Sequence, residues 1–271
     1  MTPDSAPTVA QLLAFYLEAG VDCALMESPV NRLSDPDIDP APREAAPAAV
    51  KTMAAAIPPS RSEAAPAPEV AILSAREAAR TAPTLEALRA LLESFDGCAL
   101  KSTATRLVFA DGNPQARIMF VGEAPGREED IEGLPFVGRS GKLLDRMISA
   151  IGLDRSSVYI ANVIPWRPPG NRTPTPQESA ICLPFILRQI ELVAPDILVC
   201  LGAPSAQTLL KVREGILKIR GRWFTHRTGA REIRALATLH PAYLLRQPLQ
   251  KRLAWRDFLE IKKGLAQTAR E

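Results

Sequence analysis

Residues 117–130 read RIMFVGEAPGREED, a short unbroken apolar run that ends at a glycine and gives way to a turn of glycine, proline and acidic residues. An apolar strand with no alternation is buried on both faces, which is the signature of a parallel sheet covered by helices rather than of a half-solvated antiparallel one. Three further segments repeat the pattern: SVYIANVI from residue 157, DILVCLG from 196 and IRALATLH from 233. Between them, helical periodicity runs near 139–151, 177–194 and 203–211. Strands alternating with helices imply an α/β domain. In such folds the ligand crevice opens at the carboxyl ends of the strands, so the residues just after each apolar run are where chemistry is expected.

Toward the N-terminus the pattern changes. Residues 9–21, VAQLLAFYLEAGV, space Leu12, Leu13, Tyr16 and Leu17 as one amphipathic helix, within an N-terminal segment of residues 1–34. Residues 35–68 are rich in Pro and Ala and offer too few large apolar side chains for a core, so they read as a flexible linker. Two helices, near 70–81 and 84–95 with Thr84 as N-cap, then open a globular domain that spans 69–271. The whole chain has 271 residues, 46% of them hydrophobic, and a formal charge of +3. That balance does not by itself imply a polyanion partner, but basic residues crowd the chain after Leu210 and suit either a nucleic acid or a solvated face. Without an apolar run of about 18 residues or a basic leader, a cytoplasmic protein with no membrane partner is expected. Four cysteines and no secretion signal point to reduced thiols.

The turn after the first strand, Gly122 to Asp130, suits backbone amides aimed at a ligand, and its acidic residues can activate water. It matches neither GxGxxG nor GxxxxGK[ST], which argues against a dinucleotide or nucleoside-triphosphate enzyme. In LPFVGRSGKLL (134–144), the first turn of a helix together with Lys142 can hold a phosphate, and Phe136 is either core or a stacking platform. Asn162, at the end of the second strand, can read a base edge or cap its own turn. His240 is one of only two histidines and sits at a strand end before Pro241, as a structural imidazole or as a candidate for chemistry.

Six segments occur in order across residues 98–262: GEAPGREED, LPFVGRSGKLL, YIANVIPWRPPGNRTP, DILVCLGAPSA, IRGRW and TLHPAYLLR. Together they resemble the successive motifs of the family 4 uracil-DNA glycosylases. The resemblance implies a three-layer α/β/α sandwich around a central, mostly parallel four-stranded sheet. It also implies a monofunctional glycosylase that flips uracil out of double- or single-stranded DNA, hydrolyses its N-glycosidic bond and leaves an abasic site for base-excision repair. No lysine is evident as a Schiff-base nucleophile. A monomer is expected.

On this resemblance Phe136 stacks on uracil, Asn162 reads its edge, and Gly122, Glu123 and Ala124 line the pocket. His240 donates to uracil O2 as charge develops there. Ala124 stands where related families carry a water-positioning Asp. Glu123 and Glu129 remain as candidate carboxylates, with Glu129 favoured because the family has a Glu at that site. Residues 242–246 match an intercalation loop in which Leu244 or Leu245 is the wedge. Gly138, Ser140, Lys142, Arg167, Tyr243 and Arg246 complete the expected DNA contacts.

The chain also departs from the family pattern. Members usually bind a [4Fe–4S] cluster through four cysteines, and the matching positions here are Phe95, Cys98, Trp166 and Cys182. Cys23 and Cys200 are not placed to substitute. The sequence therefore leads us to expect no metal and no cluster, with Phe95 and Trp166 filling the vacated space. The basic, histidine-containing insert of the cross-linking relatives is missing from VIPWRPPGNRTPTP, so permanent covalent capture of DNA is not expected. Two alternatives stand beside uracil excision: a same-fold glycosylase with a broader base range, and a non-catalytic DNA-binding module.

Overall fold

The structure, a computed structural model, describes residues 68–229 and 231–268. The expected N-terminal helix, nearly all of the linker and Cys23 lie outside the described residues. Three helices come first: α1 (Pro68–Thr81), α2 (Leu85–Ser94) and α3 (Leu100–Thr103). Thr84 caps α2 as anticipated, its hydroxyl accepting from the Ala87 amide at 3.2 Å. The α/β part follows with β1 (Asp111–Gly112), β2 (Ile118–Gly122), α4 (Arg127–Glu132), α5 (Arg139–Ala150), β3 (Tyr159–Asn162) and α6 (Pro176–Val193). It continues through β4 (Ile197–Leu201), α7 (Ala203–Leu210), α8 (Ile216–Ile219), β5 (Trp223–Arg227), β6 (Glu232–Thr238), α9 (Pro241–Arg246) and α10 (Lys251–Thr268). Among the described residues no helix is long and apolar enough to cross a membrane.

The strands form one six-stranded sheet in the order β1-β3-β2-β4-β6-β5. Its centre, β3-β2-β4-β6, is parallel throughout and comprises the four strands expected from the sequence. The expected count of four is corrected by two antiparallel edge strands. Neither carries the doubly buried apolar run: β1 is two residues long, and β5, WFTHR, is mostly part-exposed.

Successive side chains on the central strands point to opposite faces. Met119, Val121, Tyr159, Ala161, Leu198 and Cys200 belong to one core, with Leu88 of α2 and Ile181 and Phe185 of α6. Ile118, Phe120, Ile160, Val199 and Leu201 belong to the other, with Leu144 and Ile148 of α5 and Phe258 and Ile261 of α10. Helices cover both faces, which gives the three-layer sandwich. The parallel register places Gly122 opposite Asn162 and Leu201 opposite Thr238, so the carboxyl ends of the four central strands meet at one rim.

Candidate active site at the carboxyl rim of the sheet

A cavity of about 580 Å³ opens at that rim, and each central strand contributes to it. Glu123 follows β2, Asn162 ends β3, Gly202 follows β4, and His240 lies just past β6. Phe136, from the loop between α4 and α5, forms a wall. The three side chains singled out for base recognition thus share one cavity. The Phe136 and His240 rings are 5.6 Å apart, tilted by 32°.

Two glycines are required by close approach. A Cβ on Gly122 would collide with Asn162 Oδ1 and with the Phe136 ring, so that position must be bare for the amide and the aromatic to converge. Gly202 has φ 94 and lies under His240, whose Cβ would be 3.1 Å from an added methyl group.

Asn162 is 5% exposed, and its carboxamide oxygen is buried without a hydrogen-bond partner. An orphaned acceptor costs stability unless something fills it, so an unpaired one on a residue that lines a cavity points to a ligand. His240 is arranged as a donor. Its Nδ1 accepts from the Ala242 amide at 3.1 Å, which assigns the ring proton to Nε2. Enclosure pushes the imidazole pKa down to about 4, with Arg246 adding in the same direction, so the ring is neutral at physiological pH.

The two glutamates have different surroundings. Glu129 is 8% exposed and fully engaged: Oε2 accepts from the Gly126 amide at 3.1 Å, and Oε1 from Val137 and Gly138 at 3.1 and 3.0 Å. It fastens the turn after β2 to the turn before α5. Glu123 is half-buried, its carboxylate takes no hydrogen bond or ion pair among the described residues, and its pKa is raised by burial. It stands between the main cavity and a side cavity of about 330 Å³.

The wedge and phosphate candidates also separate. Leu244 is 1% exposed and packs with Leu239 and Ala254, so it does not face DNA. Leu245 is 37% exposed and lines an adjoining groove with Ser140 and Arg246. Tyr243 and Arg246 border the main cavity, and Lys142 is exposed on α5 with no acidic partner among the described residues. Two candidates are occupied within the protein. The Gly138 amide is taken by Glu129, and Arg167 donates to Asn171 Oδ1 at 2.7 Å. Ala124 lines the cavity as expected.

Arg155, whose guanidinium holds the backbone of Phe136, is not among the site residues expected from the sequence. Nor is Gly202, nor are Arg172, Thr173 and Pro174, which border the cavity from the proline-rich loop. That loop follows a strand end, so its position was a usable signal. Phe136 has φ 55, a left-handed conformation that costs a residue with a Cβ roughly 1–2 kcal/mol and persists only where surrounding groups impose it.

Residues 109–259 match the family described as the uracil DNA glycosylase superfamily. The chain belongs to this superfamily. It is 41% identical over 168 residues to the type-4 uracil-DNA glycosylase of Archaeoglobus fulgidus, a match covering 60% of this chain and 84% of that protein. The enzymes of the same name from Thermotoga maritima and Saccharolobus solfataricus are 43% and 42% identical. Those matches cover 60% and 62% of this chain, and 83% and 81% of the relatives.

This kinship overturns the expectation of a chain without a cofactor. Type-4 enzymes are iron–sulfur proteins, so a [4Fe–4S] cluster is the expected cofactor of a uracil-DNA glycosylase this similar to them. At the matching place Cys98 and Cys182 are buried with Sγ atoms 3.9 Å apart, while Phe95 packs edge-on against Phe185 and Trp166 is 2% exposed. Among the described residues no group of three or more His, Cys, Asp or Glu side chains is placed to hold a metal. Two thiols do not make the four-thiolate set, and no step of the reaction below runs through the cluster.

Proposed function

We propose that this glycosylase flips uracil out of DNA and hydrolyses its N-glycosidic bond, leaving an abasic site. The observation that carries the reading is the unpaired amide oxygen of Asn162, a residue that lines the same cavity as Phe136 and His240. A flipped uracil stacks on Phe136 and presents an N–H donor beside a carbonyl acceptor to the Asn162 carboxamide. Cytosine offers an amine where uracil has the carbonyl, which leaves buried polar groups unmatched. His240 donates to uracil O2, and a neutral donor strengthens its bond as the leaving base gains negative charge. Glu123 is the carboxylate free to orient water toward the sugar carbon. This revises the preference for Glu129, whose oxygens are spent on three amides.

Leu245 and Arg246, beside the cavity mouth, supply the apolar wedge and a phosphate contact. The proposal includes monomeric action in the cytoplasm on double- or single-stranded DNA, supported by the absence of a long apolar run in the sequence and by the resemblance to family 4. The deciding experiment incubates the protein with an oligonucleotide carrying one uracil and then adds alkali. Strand scission only after alkali is the expected result. Intact strands after alkali, with the protein folded, would sink the reading.

A further inference from the structure

We propose that Arg155 is a positioning residue for base recognition: its guanidinium holds the Phe136 peptide in its strained conformation, so that the ring faces the cavity. This rests on the reading of Phe136 as the uracil-stacking surface. Arg155 lies in the turn before β3 and reaches across to the Phe136 loop. Its Nη2 donates to Phe136 O at 2.5 Å and to Pro135 O at 3.2 Å. The same fork is anchored from behind. Nη1 donates to Asp111 Oδ2 at 2.6 Å, and Nε donates to Asp145 Oδ1 at 3.1 Å.

A planar, fixed fork of donors can hold two adjacent carbonyls and two carboxylates at once, whereas a single ammonium cannot. Two other features fix the same peptide. Glu129 holds the next two amides, Val137 and Gly138, and Gly141 packs so tightly on Phe136 O that a Cβ would overlap it. The left-handed φ of Phe136 is thus imposed from its carbonyl, from the following amides and from the facing backbone. Arg155 has no place in the cavity lining, so its effect on uracil must pass through Phe136.

The test is a double-mutant cycle on single-turnover uracil release, with Arg155→Gln, Phe136→Leu and the pair. If Arg155 acts through Phe136, Arg155→Gln slows release about tenfold in the wild-type background and less than about twofold beside Phe136→Leu. Inhibition by free uracil should weaken in parallel, and Arg155→Lys should recover only part of the rate. Equal losses in both backgrounds, or full activity in Arg155→Gln, would overturn the proposal. Should Arg155→Gln not fold, Asp145→Asn frees the Nε anchor at a more exposed position and enters the same cycle. A rate loss there that vanishes beside Phe136→Leu supports the proposal, and an unchanged or additive rate refutes it. Failure of the uracil-excision reading would look different, because the wild type itself would then release no uracil.

Discussion

His240 turns its Nδ1 toward the Ala242 amide, 3.1 Å away, and this one bond leaves Nε2–H as the free donor of a ring that lines the cavity. The imidazole is therefore oriented by the first turn of the helix that follows it. His240→Ala should lower single-turnover uracil release by about 10²- to 10³-fold, the range for losing one preorganised oxyanion donor. Binding of uracil-containing DNA should change by less than about threefold. Equal losses in rate and binding, measured by quench kinetics and fluorescence anisotropy, would remove the electrostatic role.

The pH dependence has a definite sign. With the His240 pKa at about 4, the imidazole stays neutral from pH 6 to 8, so no histidine limb belongs in the rate profile there. Burial raises the Glu123 pKa, so its base form is lost at higher pH than for an exposed glutamate; activity should fall on the acid side, and that limb should vanish in Glu123→Gln. Stability follows separately. The unfolded chain protonates His240 near pH 6.5 while the folded chain resists until about 4, so this contribution is intact above 6.5 and declines as pH falls. The loss approaches about 3 kcal/mol at pH 4. Denaturant titration of wild type against His240→Gln from pH 4 to 7 isolates it.

Glu123 and Glu129 should respond oppositely to the same substitution. Glu129→Gln replaces one of two accepting oxygens and leaves a backbone amide unmatched, at about 1–3 kcal/mol, so its melting temperature falls clearly. Glu123→Gln disturbs no hydrogen bond among the described residues, so it should keep the melting temperature and lose rate. A Glu123→Gln enzyme as fast as wild type would return the water-positioning role to another group.

The adjacent leucines make a similar contrast. Leu244→Ala empties a fully buried site and should cost about 2–5 kcal/mol of stability. Leu245→Ala should leave stability within about 0.5 kcal/mol, yet slow excision from duplex more than from single-stranded DNA, where no stack must be filled. A Leu245→Ala variant with equal effects on both substrates would exclude the wedge.

The sequence made the central strands legible because each is buried on both faces and so reads as an uninterrupted apolar run. β1 and β5 were not legible, since edge strands carry no such pressure and WFTHR mixes aromatic, polar and basic residues. Phe136, Asn162 and His240 could be picked out because they lie at strand ends or beside a glycine-flanked turn. Which glutamate is free, and which leucine is open, depends on side-chain partners brought together by the fold, and no local pattern encodes that. Arg155 was hidden for the same reason: in GLDRSS an arginine reads as a solvated turn residue, and its partners Asp111 and Phe136 are far along the chain. The cluster expectation failed differently. Four positions along the chain report the ligands alone, whereas similarity over four-fifths of the relatives speaks for the whole domain.

The constrained backbone at Phe136 has a consequence for how the enzyme searches a genome. A receptor whose shape is locked before any encounter needs no refolding on contact, so the slow event moves to the nucleic acid. Sites where the helix breathes readily, such as a uracil facing guanine, should then be cleared ahead of those in a sound pair with adenine.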